Sequence, residues 1–124
     1  MNLKLIHEDF RGKIESLLGT SYDEIALLTT KAGYARGGCV HKESMEHVVV
    51  LEGSIEFHYH VPSETYETLK LMEAGDSITI YPNVPHYYVS TTDSIVIEWG
   101  PKMSEKNEKD LIMRTIVEEH NKNV

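Results

Sequence analysis

One stretch near the middle of the chain constrains its fold and chemistry more than any other. It begins with Cys39 and His41, passes through a short polar turn to Glu46, and enters an apolar run that ends at Gly53. Cys39 and His41 are two residues apart, so their side chains share a face if the segment is extended. The stretch therefore predicts a thiol, an imidazole and a carboxylate that converge on one point, followed by a hairpin turn at the glycine.

A second stretch, residues 75–86, predicts another donor for the same point. A Gly-Asp turn, an alternating strand and a proline-rich corner lead to His86. Nitrogen, oxygen and sulfur donors that arrive from two strand pairs are what a transition-metal site requires. The candidate metal ligands are therefore Cys39, His41, Glu46 and His86. This donor set favours zinc, while iron, nickel, manganese or no metal at all stay open as alternatives.

Short strands separated by turns every 8–12 residues fill the chain up to residue 99, and we count about nine of them. This pattern predicts an antiparallel sandwich or closed barrel. After Pro101 apolar residues recur at helical spacing, which predicts a helix over about 105–121 with Ser104 as its N-cap. We expect a single domain over residues 1–124, with a barrel over about 1–101 and the helix outside it.

The run Val48–Leu51 is apolar on both faces of its strand, whereas a sheet with one solvated face needs only one apolar side. We therefore expect the helix or a second subunit to cover the outer face, and a homodimer is predicted. His58 and His60 alternate with better core residues, so they are predicted on the outer face. A reversed register would turn them into the barrel instead.

The composition excludes several classes of partner. The chain has 124 residues and a formal net charge of −8 without a basic cluster, so neither nucleic acid nor an anionic membrane surface is an expected partner. No apolar run reaches about 18 residues, so no membrane-spanning helix is expected. The apolar stretch at the N-terminus is too short, and is followed too soon by charged residues, to resemble a signal peptide. A single cysteine allows no internal disulfide, so we expect a cytoplasmic location.

Residues 36–53 resemble the first motif of the cupin superfamily, in which His-x-His is followed by three or four residues, a glutamate, six residues and a glycine. His41, Glu46 and Gly53 stand in register with that motif, and Cys39 stands where the first histidine is usual. The resemblance implies an antiparallel double-stranded β-helix, also called a jelly roll.

Residues 75–86 resemble the second cupin motif. Gly75, Pro82 and His86 fit it, and Asn83 stands where a glycine is usual. Asparagine tolerates a positive φ better than most residues, so we expect the turn to be kept.

The flanking residues resemble one branch of the superfamily. Residues 9–12, Asp-Phe-Arg-Gly, are similar to the Asp-x-Arg-Gly opening of cupins that act on nucleotide sugars. Residues 36–38, Arg-Gly-Gly, are similar to the lead-in of sugar ketoisomerases and capsular polysaccharide enzymes. The implied ligand is a small molecule such as a sugar or a nucleotide sugar.

Three residues are candidates for binding that ligand: Arg36, Tyr81 and Tyr88. An arginine holds a phosphate or carboxylate through its planar fork, and an aromatic ring stacks on a sugar. Each also has an ordinary reading, as a partner of one of the many acidic residues or as a packing residue. Arg11 is a weaker candidate of the same kind.

The function that these motifs predict is isomerisation or epimerisation of a keto sugar in surface carbohydrate synthesis. His41 or His86 would be the catalytic base, because an imidazole both takes up and releases a proton near neutral pH. A divalent metal would polarise the substrate carbonyl. Two alternatives stay open: a metal-dependent oxygenase, and a protein that binds a small ligand without turning it over.

Overall fold

The computed structural model describes residues 3–17, 25–101 and 108–124 of the chain. These residues form ten strands, paired antiparallel throughout, and one helix. The elements in chain order are β1 Lys4–Asp9, β2 Gly12–Ser16, β3 Ala26–Thr30, β4 Ala35–Cys39, β5 Glu46–Glu52, β6 Ser54–Tyr59, β7 Thr68–Glu73, β8 Ser77–Ile80, β9 His86–Ser90, β10 Ser94–Trp99 and α1 Leu111–Lys122.

The strands form two sheets whose inner faces enclose the core. One has the order β1-β2-β3-β10-β5-β8 and the other the order β4-β9-β6-β7. Apolar side chains from both sheets fill the space between them, among them Val50, Val96, Phe57 and Tyr88. This architecture confirms the all-β jelly-roll prediction with a C-terminal helix.

The two-residue alternation of β5 decides which side chains enter the barrel. Glu46, Val48 and Val50 are buried, whereas the residues between them are partly exposed. The same alternation buries Ile55 and Phe57 of β6 and leaves His58 outside the core. Val48 and Val50, which follow Glu46 on the same face of β5, therefore anchor this strand in the core.

The helix begins later than its apolar periodicity predicts. Its N-cap is Asp110, whose side chain accepts a hydrogen bond from the backbone N–H of Met113 at 3.0 Å. The predicted cap, Ser104, lies outside the described residues. Residues 108–110 are not helical, because they pair with the end of β4 through an isolated antiparallel bridge between Cys39 and Lys109.

The helix packs on the smaller sheet and not on β5. Met113 and Val117 of α1 form a second apolar cluster with Ala35 and Tyr87. The expectation that the helix covers the outer face of β5 is therefore wrong, and Leu51 keeps 44 % of its surface exposed. The bridge between Cys39 and Lys109 places the start of the helix beside β4, the edge strand of the smaller sheet. The homodimer that would cover the outer face of β5 stays a prediction.

Candidate active site

Three side chains from different elements meet inside the barrel. His41 lies in the turn after β4, Glu46 is the first residue of β5, and His86 is the first residue of β9. One ligand atom from each lies within 4.8 Å of the others, and all three residues are buried. The structure thus brings together the three residues that match the cupin motifs.

Both histidines bond to the same oxygen of the glutamate. Nε2 of His41 lies 3.0 Å from Oε2 of Glu46, and Nε2 of His86 lies 2.6 Å from it. Burial alone would raise the pKa of Glu46, but the hydrogen bonds from the two imidazoles outweigh it and hold the pKa well below its usual range. Glu46 is therefore a carboxylate, with a full negative charge between two rings.

The backbone around His86 fixes which of its nitrogens faces the carboxylate. Nδ1 lies 3.0 Å from the carbonyl oxygen of Val84, which can only accept, so Nδ1 carries a proton. In the neutral ring Nε2 is then a lone pair that faces Oε2 of Glu46. Two acceptors at this distance need a cation between them, either a proton or a metal ion. A ring nitrogen bonded to a backbone carbonyl is also the usual support of a metal-bound histidine.

The turn before His86 is held against the first motif. The backbone N–H of Asn83 donates to the carbonyl of His41 at 2.7 Å, so the two motifs are tied directly together. Asn83 has φ of 66°, the left-handed conformation expected at the position where a glycine is usual.

A cavity of about 590 Å³ opens beside this cluster. Glu46 and His86 line it, so the carboxylate and one imidazole are accessible to a small molecule. Its described lining also includes Ile6, His7, Arg11, Ile14, Leu28, Arg36, Gly37, Cys39, Tyr87, Tyr88, Glu98, Lys109 and Arg114. This volume lies within the range of about 300–1,000 Å³ that is typical of ligand pockets.

Glu98 is a member of the site that the motifs did not reveal. It lines the cavity, and its side chain hydrogen-bonds to Glu46. Burial and the nearby charge of Glu46 raise the pKa of Glu98 well above its usual range, so the pair shares a proton donated by Glu98. One sequence signal could have found it: Glu98 alternates with Val96 and Ser94, which are both buried, so it points into the barrel.

Arg36 lines the same cavity and is almost fully buried, with 3 % of its surface exposed. Its Nε donates to Oγ1 of Thr30 at 2.7 Å, and its Nη2 donates to the carbonyl of Thr29 at 3.1 Å. No carboxylate in the described part of the chain forms an ion pair with it. Burial lowers the pKa of the guanidinium because it holds the charge away from water, and nearby acidic groups, among them Asp9 and Glu98, oppose this shift only in part.

The two candidate tyrosines fall in different places. Tyr88 is buried in the cavity wall, with its hydroxyl 3.4 Å from Oγ1 of Thr30. Tyr81 follows the buried Ile80 at the end of β8, so the alternation turns it outwards and leaves 64 % of it exposed. The structure therefore does not bring Tyr81 into the cavity.

Cys39 lines the cavity but is not part of the cluster of mutually close donors formed by the described residues. Burial, together with the negative charge of Glu46, raises the pKa of its thiol to about 12. In the metal-free protein Cys39 is therefore a neutral thiol.

The other histidines of the motif region lie outside the barrel. His47 stacks on Trp99 with ring centroids 5.2 Å apart. His58 stacks on Tyr87 at 4.5 Å and bonds through Nδ1 to Glu67 at 2.7 Å. The second motif-like pair, His58 and His60, thus belongs to the outer surface, as its alternation with core residues predicts.

Solved structures of other proteins share this fold. CapF, the capsular polysaccharide assembling protein of Staphylococcus aureus, superimposes with a TM-score of 0.72 and 18 % identity over 88 % of this chain and 33 % of its own. KdgF from Halomonas sp. gives 0.64 and 15 % over 80 % of this chain and 86 % of its own. The cupin domain of Drosophila melanogaster CENP-C gives 0.61 and 14 % over 82 % and 75 %.

The chain spans about a third of the length of CapF. A search of curated protein sequences finds no significant relative. In the described part of the chain no helix is long and apolar enough to cross a membrane.

A family model described as the cupin domain matches residues 29–99, which is more than half of the chain and includes both motifs and the whole cluster. The chain therefore belongs to the cupin family.

Proposed function

We propose that this chain is a small cupin enzyme that isomerises or epimerises a keto sugar in surface carbohydrate synthesis. The observation that supports it most is the meeting of the two imidazoles of His41 and His86 on one oxygen of Glu46, beside a cavity that a small molecule can enter. Both reactions move a proton at a carbon next to a carbonyl. They need a group that takes up a proton and returns it.

His86 is the proton carrier in this proposal. Its Nδ1–H is held by the carbonyl of Val84, so proton transfer takes place at Nε2. The proton taken from the substrate is then held between Nε2 of His86 and Oε2 of Glu46, which lie 2.6 Å apart, so the carboxylate stabilises the imidazolium that forms. His41 holds the other side of that oxygen and keeps the carboxylate in place.

Arg36 binds the anionic part of the substrate in this scheme. Its guanidinium is buried in the cavity wall and forms no ion pair with a carboxylate in the described part of the chain. A phosphate or carboxylate of the ligand would supply that counter-charge. The cost of burying the arginine charge is then offset only when the right ligand binds.

The donors His41, Glu46 and His86 also fit a divalent metal, since their ligand atoms lie close together and His86 is held by a backbone carbonyl. With a metal bound, Nε2 of His86 would be one of its ligands, so the proton-carrier role of that nitrogen belongs to the metal-free form. Such an ion would polarise the carbonyl of the substrate and stabilise the charge that develops on its oxygen. Zinc is the metal we propose first, with iron, nickel and manganese as alternatives. Metal binding by these three residues is part of the proposal.

The comparison with CapF agrees with a role in carbohydrate synthesis, since that protein is described as a capsular polysaccharide assembling protein. At 18 % identity and a third of the CapF length, the comparison supports the fold and leaves the substrate to experiment.

A metal-dependent oxygenase is the second candidate, and one specific observation favours it. Two histidines and one carboxylate are the donor set of non-haem iron oxygenases, which keep other positions open for oxygen and substrate. Iron in the purified protein together with oxygen consumption would favour this candidate over the isomerase.

The isomerase proposal is tested by proton exchange. Keto sugar phosphates and nucleotide-linked keto sugars are incubated with the protein in D₂O, and the signal of the proton next to the carbonyl is followed by NMR. We expect exchange with wild type, and a rate lower by about a hundredfold or more for His86→Gln. The matched control is His60→Gln, which changes a histidine on the outer surface and should exchange like wild type.

Exchange that is equally fast in His86→Gln would contradict the assignment of the proton carrier. No exchange with any keto sugar, in protein that binds these ligands, would instead favour the alternative of a protein that only binds a small molecule.

A further inference from the structure

The C-terminal segment contributes cationic side chains to the cavity. Lys109 and Arg114 line it together with Arg11 and Arg36. These are four of only twelve lysines and arginines in a chain with a formal net charge of −8. A chain with this net charge repels anions over most of its surface. Positive side chains gathered around one cavity therefore attract anions to that cavity.

The position of Lys109 is fixed by the backbone. Cys39 and Lys109 face each other in an antiparallel bridge. The N–H of Val40 donates to the carbonyl of Glu108 at 3.3 Å, and the N–H of Asp110 donates to the carbonyl of Gly38 at 2.9 Å. The residue is therefore held against the end of β4, beside the cavity wall.

Lys109 and Arg36 lie at different depths in the cavity. Lys109 is exposed and Arg36 is buried, although both line the same space, so Lys109 lies at the opening and Arg36 inside. Lys109 faces Cys39, three residues along β4 from Arg36, and β4 is irregular between Gly37 and Cys39. The exposed charge therefore meets the part of a ligand at the opening, and the buried charge meets the part that lies deepest.

The other two cations are already engaged. Arg11 forms an ion pair with Asp9 at 2.6 Å, and Arg114 lies 3.4 Å from a carboxylate oxygen of Glu118. For Lys109 no carboxylate partner exists within residues 3–17, 25–101 and 108–124. Among the described residues, the two cavity cations without an ion-pair partner are thus Arg36 at the inner end and Lys109 at the opening.

From this arrangement we infer that the cavity binds a small molecule with two separated anionic groups, and that Lys109 is a specificity-determining residue for the outer one. The inference rests on the proposed function for its inner subsite and adds a second one. Carboxylate and phosphate groups share the required chemistry, because both are oxyanions that accept charge-assisted hydrogen bonds. The lysine ammonium, a point charge on a flexible stem, accepts either.

Binding is measured by calorimetry, with a series of probes that does not require the natural substrate. The dicarboxylates malonate, succinate, glutarate and adipate are compared with monocarboxylates of equal chain length. Phosphate and 3-phosphoglycerate form the second arm, which separates a carboxylate-selective site from a phosphate-selective one. We expect the best dianion to bind wild type about tenfold more tightly than its matched monoanion.

Lys109→Gln should abolish most of the dianion advantage and leave monoanion binding within about twofold of wild type. The matched control is Lys70→Gln, which removes the same charge from β7, where the side chain donates to the carbonyl of Ser77 and does not line the cavity. Arg36→Gln should weaken both classes of probe.

Equal loss of monoanion and dianion binding in Lys109→Gln would overturn the inference, as would the absence of any dianion advantage in wild type. Because only binding is measured, the proton-exchange experiment can fail while this one succeeds. The reverse result, exchange without a dianion preference, would remove the second subsite and keep the isomerase.

Discussion

Gly38 of β4 lies directly beneath Arg114 of α1. A Cβ atom at Gly38 would come within 2.7 Å of the Cα of Arg114 and 2.8 Å of its backbone nitrogen. The helix can approach β4 this closely only because the strand has no side chain at that point. The glycine also has φ of +84°, a conformation that other residues adopt at a cost.

Gly38→Ala should therefore destabilise the protein by more than the backbone strain alone. The control is Gly75→Ala, since Gly75 has a similar φ of +94° but no atom within 4 Å of the added Cβ. Strain costs about 1–2 kcal/mol in both variants, and displacement of the helix should add at least about 1 kcal/mol in Gly38→Ala. Unfolding in urea measures both, and equal losses would contradict the close packing of α1 on β4.

The two motifs carried most of what the sequence could predict about the site. The spacing of His41, Glu46 and His86 predicts their convergence because strand alternation and two hairpin turns leave little freedom. Alternation with Ser94 and Val96 could also have directed Glu98 into the barrel, whereas Lys109 escapes such reasoning. Lys109 reaches the cavity through a backbone bridge to Cys39, which is distant in sequence, and no local pattern sets that pairing.

The C-terminal segment shows the limit of periodicity. Apolar spacing predicted a helix, and a helix exists over Leu111–Lys122. Its start and its docking face were not predictable, because the bridge just before the helix pairs Lys109 with Cys39, which is distant in sequence. Tyr81 was misplaced for a related reason: its strand ends at Ile80, so the side chain turns outwards.

The ion pair between Asp9 and Arg11 should make the free energy of unfolding depend on pH in the acidic range. Hydrogen bonds from Arg11 hold the pKa of Asp9 well below its ordinary value of 3.8. The folded protein thus keeps a carboxylate where the unfolded chain takes up a proton. Its contribution is present above the unfolded pKa and is lost as the pH falls towards the folded one.

Asp9→Asn should therefore lower the free energy of unfolding at pH 7 by about 1 kcal/mol and flatten its fall between roughly pH 5 and pH 2. Arg11→Lys should retain part of the effect, because it keeps the charge and loses the planar fork. Denaturant unfolding across this pH range measures the slope, and an unchanged slope in Asp9→Asn would contradict the assignment.

Cys39 provides a test of how many residues make up the metal site. The cluster of three predicts that Cys39→Ala retains metal within about twofold of wild type, and that Cys39→His binds it more tightly by adding a fourth donor, a third imidazole. Metal content after dialysis against graded chelator concentrations measures this. A loss in Cys39→Ala as large as that in His41→Ala would show that the thiolate is a ligand, as the first motif suggests.

The central claim is that His41, Glu46 and His86 form one centre that holds a divalent cation in place of the proton they share. Titration of the metal-free protein with Co²⁺, followed by visible absorption and calorimetry, tests it most directly. The account predicts one ion per chain for wild type and for His60→Gln, and an affinity lower by at least about tenfold in Glu46→Gln and His86→Gln. Binding that is unchanged in these two variants, or no binding to wild type, would contradict it.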